Sequence, residues 1–398
     1  MKLTATNLFR NKKALLGIWI SFLVILFAAG IVGAAQYLGR DESASIPWGL
    51  LVPGYVFFSL AAAGSTLITS LATVFKIDSF KPIVNRGVWL SLILMVPAMI
   101  FVLLDLGKSS QSYNIYFSFH GTSRLAWMGV LYMIFTITLV LQLVSVIREK
   151  YMPKWIPFMM GIIVLAVALI VETNLGALFG SVEAKPLWNN SILPLHFIIT
   201  ALMAGACVQI LFISLTYISR KTNLPKEIKA LFAHNYRPIL IGLIIINFSV
   251  IAIKFIPELM SAEAAPYVKL LIAGPYSVTF WGLEIVLGGI VPILLLLNSK
   301  TKNSFRWLIW SSAFILIGVF FSKYDLIIAG QSIGPTFYGQ FIPYFPSAWE
   351  FLIIFGGLAA GLLVFTLGEL VLPLDPREEP SRLFLFKKSA STKQQAFS

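Results

Sequence analysis

Cysteine occurs once in the 398 residues, histidine three times, and charged side chains make up only 12% of the chain. The single thiol, Cys207, leaves no partner for an internal disulfide and cannot supply the four thiolates of an Fe–S cluster. A membrane b-haem takes two imidazoles at matching depth on facing helices. Of the three histidines, only His120 and His196 fall toward one face, and His120 reads as a loop residue. No histidine–carboxylate spacing suits zinc, and no phosphate-cradling glycine loop or nucleophile motif stands out. The expectation is a chain without haem, Fe–S cluster or metal. Acidic residues are also few, 17 against 30 Lys and Arg. The net charge of +13 is spread over many loops, so it is not the footprint of nucleic-acid binding.

What the chain has in quantity is hydrocarbon. It is 58% hydrophobic with a mean hydropathy of +0.86, and its charged fraction is far below the soluble norm of roughly 25%. This is membrane composition. Ten apolar runs can be read, at 14–35, 48–74, 87–106, 123–147, 155–179, 191–218, 237–257, 276–298, 305–323 and 348–372. Backbone groups in lipid must be satisfied within their own segment, so these runs predict an all-α polytopic membrane protein of ten transmembrane helices. The run 14–35 is too long for a signal h-region and no small-residue cleavage site follows, so it reads as the first span.

Lys and Arg divide between alternate loops, 23 to one face and 6 to the other, with Lys254 inside a span. The positive-inside rule then puts both termini in the cytoplasm. A faint repeat adds internal order. Spans two and six share SLAAAGST (59–66) and TALMAGAC (200–207), and spans four and eight open with GTSRLAWMG (121–129) and GPYSVTFWG (274–282). The pattern suggests two parallel four-helix units, spans 2–5 (48–179) and 6–9 (191–323). One helix is added at each end, 14–35 and 348–372, and a cytoplasmic tail follows at 373–398. Recurrence of Gly and Ala at helix contacts gives the same pattern without a repeat.

Ionisable groups inside spans are functional suspects. In the predicted orientation they gather toward the outer face. Asp105 ends span three, Arg124 opens span four and Glu172 lies in the last turns of span five. His196 sits early in span six, Lys254 and Glu258 close span seven, Glu284 is deeper in span eight, and Tyr324 and Asp325 follow span nine. The inner half holds mostly neutral groups, Gln142, Gln209 and Asn247, with Glu369 near the last exit. Several have plainer readings. Asp105 can cap its helix and pair with Lys108, Lys254 can snorkel to the interface, and His196 can bond a carbonyl. Tyr132 and Trp127 can be packing or interface aromatics. Glu172 and Glu284 resist such readings, because a carboxylate so deep must be protonated, paired or facing water.

Several stretches together resemble the NrfD/PsrC family of polysulfide-reductase-type membrane subunits, in particular its ten-helix HybB/DsrP-like branch. They are PWGLLVPGYVFFSLAAAG (47–64), LLDLGK (103–108), SRLAWMGVLY (123–132), ETNLGALFG (172–180) with PLWNNSILPLHFIITALMAG (186–205), LIAGPYSVTFWGLEIVLGGIVPILLL (271–296) and YFPSAWEFLIIFGGLAAG (344–361). Lys108 stands where many members carry Arg after DLG. The resemblance implies a haem-free, quinone-binding subunit of a respiratory complex in the cytoplasmic membrane of a prokaryote, with menaquinone ahead of ubiquinone. It implies a ferredoxin-like Fe–S partner on the outer face and further redox subunits. The residues agree on location: a quinone exchanging two electrons and two protons needs donors at its oxygens and a proton route. Asp105, His120, Arg124, Tyr132 and His196 are the expected head-group contacts, and Asp105, Glu172 and Glu284 the expected proton carriers. The loop 323–346, with Tyr324, Asp325 and Gln331, is read as a cover. The rival reading is a secondary transporter of a small ion or metabolite, whose site would lie nearer the bilayer midplane.

Overall fold

The computed structural model describes residues 12–38, 46–105, 117, 120–220, 222–298, 304–333 and 341–374. Among these, ten helices are long and apolar enough to cross a membrane. In chain order, α1 is Lys12–Leu38, α2 Leu51–Thr73, α3 Val84–Asp105, α4 Arg124–Ile147, α5 Trp155–Gly180 and α6 Leu193–Ser219. Then come α7 Lys226–Met260, the short α8 Ala265–Ile272, α9 Val278–Leu297, α10 Phe305–Ala329 and α11 Ala348–Val371. The chain is a multi-pass integral membrane protein whose spans fall where the apolar runs put them.

One span departs from expectation. Helix α10 continues to Ala329, so Lys323, Tyr324 and Asp325 are helical and buried, not part of an outer loop. The apolar run ends near Phe321, but a helix enclosed by protein can carry charges onward where neighbouring helices supply partners. Lys323 therefore drops out of the loop cations. Of the expected cover, 334–340 lies outside the described residues, as does Lys108.

Helix α2 is the axis of the bundle, with 20 of its 23 residues buried. It packs on α3, α6, α5 and α10, while α1 and α11 pair with each other at the periphery. The two small-residue stretches meet face to face. A Cβ on Gly64 would overlap the Ala201 carbonyl, and one on Gly205 would overlap the backbone of Gly64. Lipid offers no hydrophobic drive between helices, so this close backbone approach supplies the van der Waals contact that joins α2 to α6. Helices α9 and α10 touch in the same way at Gly288 and Gly318. The outer faces of α4, α5 and α7 expose Ile137, Leu141, Ile163, Ile170, Ile246 and Ile253, a surface suited to acyl chains and not to water.

At the end of the bundle where α1 begins and α11 ends, polar groups pair closely. Arg86, in the first turn of α3, binds Glu369 of α11 at 2.6 Å and donates to the Tyr217 hydroxyl at 2.9 Å, with Arg220 3.7 Å from the same carboxylate. Arg86 is thus a buried partner, not the loop cation its position in sequence suggests. One layer deeper, the Gln209 side-chain amide donates to Ser65 and Thr69 and accepts from the Tyr236 hydroxyl. At the opposite end, Ser347 and Glu350 form a capping box on α11, and Glu350 also accepts from the Leu50 N–H and the Tyr344 hydroxyl. Burial and the adjacent carboxylate hold Tyr344 above the usual phenol range, which keeps its hydroxyl a donor.

Candidate functional site

The end of α3, the first halves of α2 and α4 and the second half of α5 bring together Asp105, Tyr132, Glu172 and two residues the sequence did not single out, Tyr55 and Ser59. Glu172 is fully buried. Its Oε1 accepts from the Ser59 hydroxyl at 3.2 Å, and Ser59 accepts from the Tyr132 hydroxyl at 2.9 Å. The result is a short directional line, Tyr132 to Ser59 to Glu172, drawn from three helices. Tyr55, one helical turn before Ser59, meets Tyr132 edge to face with ring centroids 6.4 Å apart and lies within electrostatic reach of both Glu172 and Asp105. Asp105 is half-buried at the end of α3 and accepts from the Tyr37 hydroxyl at 3.1 Å.

The second half of the site is built around Lys323. It is fully buried on α10, its Nζ lies 4.2 Å from the centre of the Phe197 ring, and no hydrogen-bond acceptor reaches it. Glu172 on one side and Glu284 on the other are close enough for their charges to act on it. Glu284 belongs to a π-helical stretch, Val278–Ile290, and lines a small cavity together with Ser322, the residue before Lys323. Such wide turns are rare and gather at functional positions. Lys254 is buried and within electrostatic reach of Glu284 and Glu258, so it does not snorkel. Glu258 accepts from Asn190 at 2.8 Å, and Asp325 accepts from Thr279 at 2.6 Å. His196 is buried facing Asn247, and neither ring nitrogen completes a hydrogen bond. A cavity of about 10 Å³, room for one water-sized molecule, opens beside Glu284, Asn247, Thr200 and Ser322.

Two expected residues stand apart from this cluster. His120 is exposed. Arg124 is exposed at the start of α4, where its Nε donates to Ser181 at 3.1 Å and its carbonyl accepts from Asn174. Both lie at the rim of the same end. Asp105, Tyr132 and Glu172 converge, and Glu284 and His196 join them through Lys323.

The arrangement has a chemical signature. Buried polar atoms are normally hydrogen-bonded, yet Glu172 Oε2, Lys323 Nζ, Asp325 Oδ2, Glu258 Oε2 and both nitrogens of His196 are not. Acid, ammonium and imidazole groups with spare capacity, set among aromatic rings, suit a mostly apolar molecule with exchangeable protons on its oxygens. Among the described residues no group of His, Cys, Asp and Glu is arranged to hold a metal ion.

Comparison with known proteins adds a family. The profile of "Polysulphide reductase, NrfD" matches residues 40–335. The chain is 27% identical over 384 residues to the Hdr-like menaquinol oxidoreductase integral membrane subunit of Archaeoglobus fulgidus, covering 90% of this chain and 94% of the relative. It is 23% identical over 367 residues to a selenate reductase subunit of Mesobacillus selenatarsenatis, covering 80% and 83%. The NrfD homolog of Haemophilus influenzae is 21% identical over 316 residues, covering 72% and 95%.

Proposed function

The chain belongs to the polysulphide reductase NrfD family, and on that premise we propose that it is the quinone-reactive membrane subunit of a respiratory oxidoreductase. In this reading it exchanges electrons between a membrane menaquinone pool and an Fe–S partner subunit docked at the Asp105 end. The names of its relatives, one from a menaquinol oxidoreductase and one from a selenate reductase, support a redox complex. The observation that carries the reading is the buried pair Glu172 and Lys323, each with an unused hydrogen-bonding atom beside the Tyr132–Ser59 line.

When bound, the quinone supplies the two-electron, two-proton chemistry. Glu172 and Lys323 would hold its head group, with His196 and Tyr132 near by. The protein's own part is proton handling. Glu172, held at Oε1 by Ser59, keeps Oε2 available to receive a proton. The Ser59 and Tyr132 hydroxyls, which donate toward Glu172, form one line by which a proton reaches it and, once both rotate, leaves it, and Tyr55 lies within electrostatic reach of both Glu172 and Asp105. Glu284, within electrostatic reach of Lys323, balances its charge as Glu172 changes state. Protons released at this end leave on the outer face in the orientation the loop charges imply.

The test is quinol oxidation by the complex purified with its native partners, with lipid extraction to identify bound quinone. Glu172→Gln and Lys323→Met should each lower turnover by about a hundredfold or more, the range set by losing a positioned proton carrier. The folded complex should stay intact. Normal quinol turnover in both variants would remove the site. Absence of quinone together with uptake of a small ion into vesicles would favour transport instead.

A further inference from the structure

A second cavity, at the end of the bundle opposite Glu172 and Glu284, opens beside the Arg86–Glu369 cluster. It has a volume of about 830 Å³ and lies among the ends of α2 and α4, the starts of α3 and α5, and the segment after α11. Four lysines line it, Lys76, Lys81, Lys150 and Lys154, against the two acids Asp78 and Glu149. Asp78 is taken up by Lys81 at 2.6 Å, which leaves three lysines facing one carboxylate. Its floor is apolar, formed by Val84, Val146, Pro157 and Phe158 among others, and Lys76 Nζ stands 4.7 Å from the centre of the Phe158 ring.

The depth of this cavity is readable from its surroundings. Four spans begin or end around it, and Tyr151 and Trp155 beside it are exposed by 80% and 64%. Large aromatic side chains exposed at helix ends mark the level of lipid head groups. Below it, toward the centre of the membrane, α4 and α5 expose Val140, Leu141, Val144, Ile162 and Ile163. A cationic chamber at head-group level above an apolar, lipid-facing track has the chemistry of one occupant. We propose that it binds an anionic phospholipid, its phosphate among Lys76, Lys150 and Lys154 and its acyl chains along α4 and α5. Basic pockets between transmembrane helices bind such head groups, and each lysine near an anionic surface strengthens attraction severalfold. The tail 375–398 is not a complementary occupant, because it carries five Lys and Arg against three acids.

The experiment uses the complex purified with its native partners, delipidated in detergent and offered phosphatidylglycerol or phosphatidylcholine of identical acyl chains, with retained lipid counted by native mass spectrometry. Phosphatidylglycerol should be retained at least tenfold over phosphatidylcholine. The triple variant Lys76→Gln, Lys150→Gln, Lys154→Gln should abolish that preference, while the corresponding Lys→Arg triple keeps it. Lys226→Gln with Lys229→Gln, which removes basic residues outside the cavity, should leave it unchanged. Equal retention of both lipids, or an undiminished preference in the Gln triple, would overturn the proposal. So would displacement of phosphatidylglycerol by millimolar inorganic phosphate, which would mark a site for a soluble anion.

Discussion

At the scale of single residues, the molecule treats its buried charges in two ways. Glu369 is saturated: Arg86, Arg220 and, through Arg86, Tyr217 close around it. Glu172 and Lys323 are left with spare atoms. The first pattern is structural, and breaking one side of a buried ion pair typically costs about 3–5 kcal/mol. Glu369→Gln should therefore lower the thermal unfolding temperature of the purified protein clearly. Glu172→Gln, which breaks no hydrogen-bonded ion pair, should lower that temperature far less than Glu369→Gln while turnover falls; parallel melting curves distinguish the two. Glu172 and Glu284 were legible in the sequence because carboxylates are rare within apolar runs. Lys323 was not, since it follows the last apolar residues of its run and reads as the first loop residue. Ser59 and Tyr55 were hidden for another reason. A serine or tyrosine in a membrane helix is common, and only the neighbouring helices reveal that these two face an acid.

At the scale of elements, the small-residue stretches of α2 and α6 do what bulky side chains do in a soluble core. Their contact is backbone on backbone at Gly64 and Gly205, so a branched side chain there has nowhere to go. Gly205→Val should separate the two central helices and reduce the yield of folded protein by several-fold, measured by size-exclusion chromatography in detergent. Gly242→Ala is the matched control: nothing lies within 4 Å of the added methyl, and the change should be neutral. The likeness of 59–66 to 200–207 was visible in the sequence, but the fact that these stretches touch each other was not. Apolar length fixed where spans lie and could not say which are neighbours. The same limit explains α10, whose end is set by its protein surroundings and not by its hydropathy.

At the scale of the whole molecule, the two ends of the bundle carry different chemistry. One gathers acids, Lys323 and His196 within the helices; the other holds a closed ion-pair cluster and a lysine-lined chamber. The loop charges predict which end faces the cytoplasm, and the chain offers a convenient assay. Its one cysteine, Cys207, is fully buried, so the natural protein is close to a thiol-free background. Glu183→Cys, between α5 and α6, should react with a membrane-impermeant maleimide on intact cells, and Lys150→Cys only after the membrane is opened. The reverse labelling would invert the protein and move proton release to the cytoplasmic side.

The wide winding of α9 carries a last implication. Its Val278–Ile290 stretch is looser than an α-helix, so each residue there advances the chain around its axis by less than the usual 100°. The direction in which Glu284 points and the direction in which Leu296 is buried are consequently tied by the number of residues between them. Swapping one aliphatic for another in that stretch should be forgiven; dropping or adding one should swing the carboxyl away from Ser322, as a key cut one notch short fails to turn its lock.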